Sequence, residues 1–273
     1  MKARSLVFDF FGDYLRYRGG EVRLRQLITL LGYLAVPEPT ARVAAARMRK
    51  EGWLTARKEG REIVLALTQA AWDTLDEGRM RIFHRASGPW DGQWHMVIYQ
   101  VTESERALRE QLRKRLAWLG FGPLTSSVWV SPHDLTDLVR SEFSAHPAVR
   151  LDVFHSRSEG AAADQAIAVR AWELPTLDVD YRALLSRYRP RLPLYRASGL
   201  DSRDALAERM RLIHDYRQFP FRDPDLPPEL LPEGWHGRQA HEVFLTAHGL
   251  LRAAAERAVD DVVGDAPRGL QTD

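Results

Sequence analysis

The sequence predicts a protein of the α+β class, organised in three modules at residues 1–88, 89–175 and 176–273. Near the N-terminus, three stretches with apolar residues at helical spacing precede a short pair of alternating strands. In the middle, apolar runs typical of buried strands alternate with amphipathic helical stretches. Charged helical stretches around a proline-laden segment predict a helical module at the C-terminus.

The composition excludes several classes of site. The chain has no cysteine, which rules out disulfides, thiolate metal sites and cysteine nucleophiles. No apolar run approaches the roughly 20 residues that cross a bilayer. The apolar start at residues 6–11 is interrupted by Asp9 and lacks a small-residue cleavage site, so a signal peptide is rejected. We therefore expect a cytoplasmic protein with no membrane partner.

The charge of the chain is unevenly distributed. Residues 1–85 carry 16 Lys and Arg against 10 Asp and Glu, whereas the remainder carries 23 against 27. A basic module joined to a slightly acidic body is typical of a DNA-binding regulator. Chance clustering is the alternative explanation for the charge pattern alone.

The N-terminal pattern predicts helices over residues 3–17 and 22–34 and a third from Thr40, as N-cap, to Glu51. Hairpin strands are expected at 54–57 and 63–67, the second with Ile63, Leu65 and Leu67 alternating as in a half-buried strand. This order is that of a winged helix-turn-helix, whose second motif helix enters the major groove of double-stranded DNA. The predicted DNA contacts lie on that helix and on the wing: Thr40, Arg42, Val43, Ala46, Arg47, Arg49, Lys50, Arg57, Lys58 and Arg61. A small helical domain with a solvated basic face is the alternative.

Thr68 is expected to cap a linker helix over residues 69–83, and the middle module follows. The pattern there predicts strands at 94–101, 128–130, 149–155 and 166–174 and helices at 103–119 and 134–145, a ferredoxin-like unit. This segment is similar to the Cas2-like domain, whose nuclease-type members end the first strand in Tyr-Asp. Here the pair is Tyr99-Gln100, and an amide cannot replace a metal-holding carboxylate. Pairing of two chains is therefore favoured over nuclease chemistry.

The C-terminal pattern predicts helices at 178–188, 201–217 and 237–259, the first two with acidic caps. The long segment from Phe219 to Trp235 is expected to be either a structural clasp or the wall of a ligand pocket. The spacing of His236, His241 and His248 without a carboxylate triad does not support a metal site. With no nucleophile elbow either, we expect no catalytic residues and no enzyme.

Several motifs together resemble the PaaX family of repressors, named for control of phenylacetic acid degradation operons. They are Phe11-Gly12-Asp13-Tyr14, Arg18–Glu21, Glu51–Leu54, Gly60-Arg61, Trp90–Trp94, Leu119–Gly122, and His214–Arg217 continuing through Phe219–Pro227 to Trp235. The resemblance implies a winged helix, a Cas2-like middle domain, a helical C-terminal domain, and operator binding as a homodimer. Val43 and Ala46 stand where the family tends to have Thr and Ser, so we expect a different base preference.

The resemblance also implies release from DNA by an aryl-CoA thioester, typically phenylacetyl-CoA, although the acyl group here is open. Such an effector needs cationic groups for its phosphates and aromatic groups for its acyl part. The expected ligand residues are Tyr216, Arg217, Phe219, Phe221, Arg222 and Trp235. No other cofactor is expected. The alternatives are a Cas2-like metal-dependent nuclease and a DNA-binding scaffold without a small ligand.

Overall fold

The computed structural model describes residues 1–85, 89–197 and 199–264, and these form two compact units. The N-terminal unit contains residues 1–84 and 184–217 together with the segment from 239 onward. The central unit contains residues 85–183 and 218–238. The three-module division at residues 88 and 175 stays a prediction.

The first part of the N-terminal unit has the topology of a winged helix-turn-helix. Its elements are α1 (Ala3–Asp13), β1 (Glu21–Arg23), α2 (Leu24–Tyr33), α3 (Glu38–Lys50), β2 (Leu54–Glu59), β3 (Glu62–Leu67) and α4 (Gln69–Phe83). The three strands form an antiparallel sheet in the order β1-β3-β2. The side chain of Thr68 accepts a hydrogen bond from the amide of Ala71, so the predicted cap of the linker helix is confirmed.

Three predictions about this region are wrong in their boundaries. The first helix, predicted over residues 3–17, ends at Asp13 and is followed by a separate 3-10 turn at Leu15–Arg18. The third helix begins at Glu38, because Pro39 fits its first turn, where the N–H that proline lacks would have no helical partner. Thr40 therefore lies inside the first turn and is not the N-cap. The second helix begins at Leu24 because Glu21–Arg23 pair with β3 as a short strand, which no local pattern indicated.

The central unit contains a four-stranded sheet with helices. Its elements are β4 (Trp94–Val101), α5 (Arg106–Trp118), β5 (Gly122–Pro123), β6 (Val128–Ser131), α6 (Thr136–Phe143), β7 (Val149–Ser156) and α7 (Ala161–Ala171). The strand order β5-β6-β4-β7, with every pairing antiparallel, is that of a ferredoxin-like unit and confirms the prediction. The strand predicted at 166–174 is wrong, since the alanine-rich segment there forms α7.

Both faces of this sheet are covered. On one face, Val97, Tyr99 and Trp129 are buried with Leu112 of α5 and Val139 of α6. On the other, a second cluster combines side chains of the sheet with α7 and the proline-laden segment: Trp94, Val130, Ala168, Ala171, Leu174, Leu226 and Leu230. That segment is thus ordered by packing, as its apolar content predicted.

The remaining helices complete the chain. They are α8 (Leu174–Tyr188), α9 (Leu192–Arg196), α10 (Ser202–Tyr216) and α11 (Gly237–Val263), with 3-10 turns at Arg189–Arg191, Phe219–Phe221 and Pro228–Leu230. Asp201 caps α10 as predicted, whereas α8 begins four residues before Asp178. Leu206 and Met210 of α10 and Val259 of α11 are buried in the same core as α1 to α3. The helices of the winged helix-turn-helix topology therefore pack directly on C-terminal helices.

Candidate nucleic-acid interface and ligand cavity

The third helix presents the predicted DNA-contacting face to solvent. Ala41, Ala45 and Met48 are buried against the core, at steps of four and three residues. The opposite face is exposed and carries the predicted contacts Thr40, Arg42, Val43, Ala46, Arg47, Arg49 and Lys50. Val43 is 67% exposed, so its aliphatic side chain is accessible on this face of the helix.

The cations of α3 differ in their electrostatic surroundings. Arg42 Nε lies 2.8 Å from Glu38 Oε1, and Arg47 Nε lies 2.7 Å from Glu51 Oε1, each pair one helical turn apart. Among the described residues, Arg49 and Lys50 have no ion-pair partner. Their charges are thus the ones on this helix that a phosphate can approach without displacing a carboxylate.

The wing carries a second group of cations at its tip. Lys58 and Arg61 flank Gly60, whose φ of +60° allows the tight connection between β2 and β3. Both side chains are exposed. Among the residues that the structure describes, neither Lys58 nor Arg61 has an ion-pair partner. Arg57 instead binds Glu21 of β1, with 2.5 Å between Nη2 and Oε2. Ile63, expected to be half-buried, is 39% exposed because the hairpin extends past the core at that point.

A buried charge network joins α1 to the C-terminal helices. Arg209 of α10 is only 2% exposed, and its Nη1 lies 2.7 Å from Asp13 Oδ2. His248 Nε2 lies 3.1 Å from the other oxygen of Asp13, and the Arg209 guanidinium stands 5.0 Å from the ring centre of Tyr14. Burial opposes ionisation here, but Arg209 and His248 hold the pKa of Asp13 well below its usual range.

A second buried carboxylate lies one turn earlier on α1. Asp9 is 6% exposed, and its Oδ1 accepts a hydrogen bond of 2.9 Å from Arg217 Nη1. Burial raises the pKa of Asp9 to about 7, with Asp13 adding to the rise and Arg217 opposing it. Arg217 was predicted to bind a ligand, and the structure places it in the N-terminal unit on this carboxylate.

Replacing Asp9 by Asn is expected to stabilise the protein relative to wild type as the pH rises from about 5 to about 8. The folded pKa of Asp9 lies above that of the unfolded chain, so wild-type folding takes up a proton and the free energy of unfolding falls with rising pH. The amide of the variant does not titrate. The free energy of unfolding of Asp9→Asn minus that of the wild type should therefore change by roughly 1–3 kcal/mol across this window. Urea unfolding at both pH values measures it. A stability difference between the two proteins that does not vary with pH would contradict the raised pKa of Asp9.

The central unit contains a cavity of about 310 Å³ between α5, β6 and the start of α8. Its lining is rich in aromatic side chains and includes two acidic groups and one cation: Ala117, Gly120, Phe121, Pro123, Trp129, Ala171, Trp172, Glu173, Leu174, Leu177, Phe221, Arg222, Asp223 and Pro224. Arg222 Nη1 lies 2.6 Å from Asp180 Oδ2, and the ring of Phe221 lies 4.8 Å from that of Trp118. A Cβ at Gly122 would come within 2.6–2.8 Å of Trp172 and Ala171, so the close packing beside the cavity requires glycine.

The six residues predicted to bind a ligand do not form one group. Phe221 and Arg222 line the cavity, whereas Phe219 is buried and stacks on Tyr181 at 4.1 Å, with Trp235 against the same ring. Tyr216 belongs to the N-terminal unit, stacked on Phe244 at 4.0 Å. The cavity aromatics Phe121, Trp129 and Trp172 come from the middle of the sequence. Only the motif at Leu119–Gly122 pointed toward them.

The histidines weighed for metal binding have protein side chains as hydrogen-bond partners. Nδ1 of His236 lies 3.0 Å from Asp178, that of His241 lies 2.8 Å from the hydroxyl of Tyr216, and His248 contacts Asp13. At the end of β4, Gln100 is exposed, and the hydroxyl of Tyr99 donates to the carbonyl of Ser126. No helix in the described ranges is both long and apolar enough to span a membrane.

Comparisons with known proteins match the chain in three consecutive regions. Residues 2–71 match the family described as PaaX-like protein, residues 87–168 the PaaX protein central Cas2-like domain, and residues 172–261 the PaaX-like protein C-terminal domain. The Transcriptional repressor PaaX of Escherichia coli strain K12 is 30% identical over 257 residues, which cover 92% of this chain and 81% of that protein.

A solved structure of an uncharacterized protein from Mycobacterium tuberculosis has a similar fold. It aligns with a TM-score of 0.55 at 24% sequence identity and covers 87% of this chain and 90% of that chain. At this identity the likeness concerns the fold alone. The three matched regions and the 30% identity along most of the sequence show that the chain belongs to the PaaX family.

Proposed function

We propose that this protein is a DNA-binding transcriptional repressor that binds its operator through α3 and the wing. The observation that carries the proposal is the exposed basic surface formed by α3 and the hairpin tip, where Arg49, Lys50, Lys58 and Arg61 have no carboxylate partner among the described residues. Phosphate contacts by such cations supply a large share of the affinity for DNA. Its relative in Escherichia coli is named as a transcriptional repressor, which supports repression over activation.

Base recognition is assigned to the exposed residues in the first turns of α3. A recognition helix contacts base edges mainly with its N-terminal residues, which here include Arg42, Val43 and Ala46. Val43 and Ala46 provide apolar surface, which suits the methyl group of thymine, and Arg42 can bind guanine if it leaves Glu38. Binding as a homodimer, which the family resemblance implies, would require two half-sites one helical turn or a multiple apart.

The proposed effector is an aryl-CoA thioester such as phenylacetyl-CoA. The cavity supports this class because Phe121, Trp129 and Trp172 offer flat apolar surface to an aromatic acyl group. Its volume of about 310 Å³ is at the low end of small-molecule sites, so it suits the acyl end while the nucleotide part of CoA stays outside. Arg222 at the cavity is the nearest candidate for a phosphate contact.

The chain itself connects the cavity to the DNA-binding unit. Arg217, which holds Asp9 of α1, is followed after three residues by Phe221 of the cavity wall. We infer that an effector which displaces Phe221 and Arg222 also disturbs the hydrogen bond from Arg217 to Asp9 of α1. A useful coupling between the two events needs about 1–3 kcal/mol.

Fluorescence anisotropy with labelled DNA from upstream of the gene and its neighbours tests the function at one fixed salt concentration. We expect binding that scrambled competitor DNA does not remove and that phenylacetyl-CoA relieves. Selective binding that phenylacetyl-CoA and other acyl-CoAs leave unchanged would reject the effector but keep the regulator. If no candidate site were bound selectively, the repressor assignment itself would fail.

Filling the cavity by Ala117→Phe is expected to weaken the response to phenylacetyl-CoA by about tenfold or more. Ala117 lines the cavity from an exposed position on α5, so the added ring can occupy the space without disturbing a core. DNA affinity without effector should stay at the wild-type value. Ala107→Phe places the same ring at an exposed position of α5 away from the cavity and is the matched control. Equal effects of the two substitutions would reject this cavity as the effector site.

A further inference from the structure

Two histidines and a carboxylate converge on the sheet of the central unit. His95 on the central strand β4 pairs directly with His155 on β7, so their side chains lie on the same face of the sheet. Asp134 follows β6, the strand on the other side of β4, and lies just before α6. Nδ1 of His95 lies 2.8 Å from Nδ1 of His155 and 3.6 Å from Oδ1 of Asp134.

We propose that His95, Asp134 and His155 form a binding site for a divalent transition-metal ion of the zinc class. One ligand atom from each of the three residues lies within 4.8 Å of the other two, so a single ion can reach all three. Imidazole nitrogen and carboxylate oxygen are ligands that zinc accepts at about 2.0–2.2 Å. Two imidazoles and one carboxylate also suit other first-row ions and leave a coordination position open to water.

The geometry needs only a small adjustment to hold the ion. Two nitrogen ligands at tetrahedral angles around zinc lie roughly 3.3 Å apart, about half an ångström more than the present separation of the two Nδ1 atoms. His155 is exposed on the edge strand β7 and can supply that movement, whereas His95 is 7% exposed and fixed. Asp134 is already oriented, because its Oδ1 accepts hydrogen bonds from the amide and the hydroxyl of Thr136.

This cluster is separate from the position that a Cas2-type nuclease would use. That position is the end of β4, where this chain has Gln100, and His95 lies near the beginning of the strand. Four residues of extended strand lie between the two, so the five steps from His95 to Gln100 span roughly 17 Å. The proposed site therefore lies at the other end of β4 from the nuclease position. The proposal does not include cleavage of phosphodiester bonds.

Binding at this site would add a link among three elements that already pair through their backbones and share a packed core. The ion would tie the edge strand β7 and the segment after β6 to the central strand β4. Because a ligand that binds only the folded state stabilises it by mass action, zinc should raise the melting temperature of the protein. The expected rise is several degrees at saturating metal.

Titration of the untagged, chelator-treated protein with Zn²⁺, followed by calorimetry, tests the proposal. We expect one equivalent per chain and a Kd weakened about tenfold or more by His155→Ala and by Asp134→Asn. Both changed residues are exposed, so the variants should fold, which circular dichroism can check. His84→Ala removes an exposed histidine from the other unit and should leave the Kd unchanged.

Co²⁺ provides a second, spectroscopic measurement. Cobalt bound by the wild type should show the visible absorption of a site with nitrogen ligands, and His155→Ala should abolish it. Absence of stoichiometric binding, or binding that His155→Ala leaves unchanged, would overturn the proposal. In that case the two imidazoles form only a hydrogen bond to each other.

Discussion

Removing four cations from the winged helix, by Arg49→Ala, Lys50→Ala, Lys58→Ala and Arg61→Ala together, is expected to weaken operator binding by about 100-fold or more. These side chains are exposed on α3 and on the wing, and no carboxylate among the described residues competes for them. Each phosphate contact releases about 0.9 counterion, so the salt dependence should fall by roughly 2–4 in slope per chain. Fluorescence anisotropy over a range of salt concentrations measures the affinity and the slope together.

A matched control separates local contacts from the overall charge of the protein. Arg106→Ala, Lys114→Ala, Arg196→Ala and Arg257→Ala remove the same charge from exposed positions outside the winged helix. This control should keep the wild-type salt slope and lose affinity only a few-fold, through weaker long-range steering. If both variants lost affinity and slope to the same degree, the basic face of α3 and the wing would not be the DNA interface.

Local sequence patterns predicted the elements whose causes are local. The buried stripe of α3, the cap at Thr68 and the strand Trp94–Val101 follow from periodicity, side-chain chemistry and apolar runs, and the structure contains them all. β1 escaped prediction because three residues form a strand only when β3 is there to pair with them. α7 was mistaken for a strand because Ile167 and Val169 suggested β structure. The surrounding alanines have a high helix propensity, and the segment forms a helix.

The candidate sites were predictable only where a short segment contains the whole feature. The exposed cations of α3 and the wing lie within one motif, so their placement followed from helix and hairpin geometry. The cavity combines α5, β6 and the segment around Phe221, and no spacing rule connects them. His95 and His155 are 60 residues apart and meet only through the strand order of the sheet. Such groups become visible only once the tertiary pairing is known.

The buried network of α1 and α10 should have the largest effect on stability. Arg209→Met is expected to lower the free energy of unfolding by about 3–5 kcal/mol, because it leaves the Asp13 carboxylate in a dry core without its cation. Urea unfolding measures the change. Arg42→Met makes the same substitution in the exposed pair with Glu38 and should cost less than about 1 kcal/mol.

A second substitution distinguishes a lost charge partner from lost packing. In the double variant Asp13→Asn with Arg209→Met, no buried charge remains without a partner, and the amide oxygen can still accept from His248. We therefore expect the double variant to be more stable than Arg209→Met alone, with a coupling energy of about 1–3 kcal/mol. Additive effects would mean that Arg209 contributes mainly through its packing on Tyr14. A double variant more stable than Arg209→Met would show that the unpaired Asp13 carboxylate causes much of the loss. The ion pair between Asp13 and Arg209 would then be what stabilises the contact of α1 with α10.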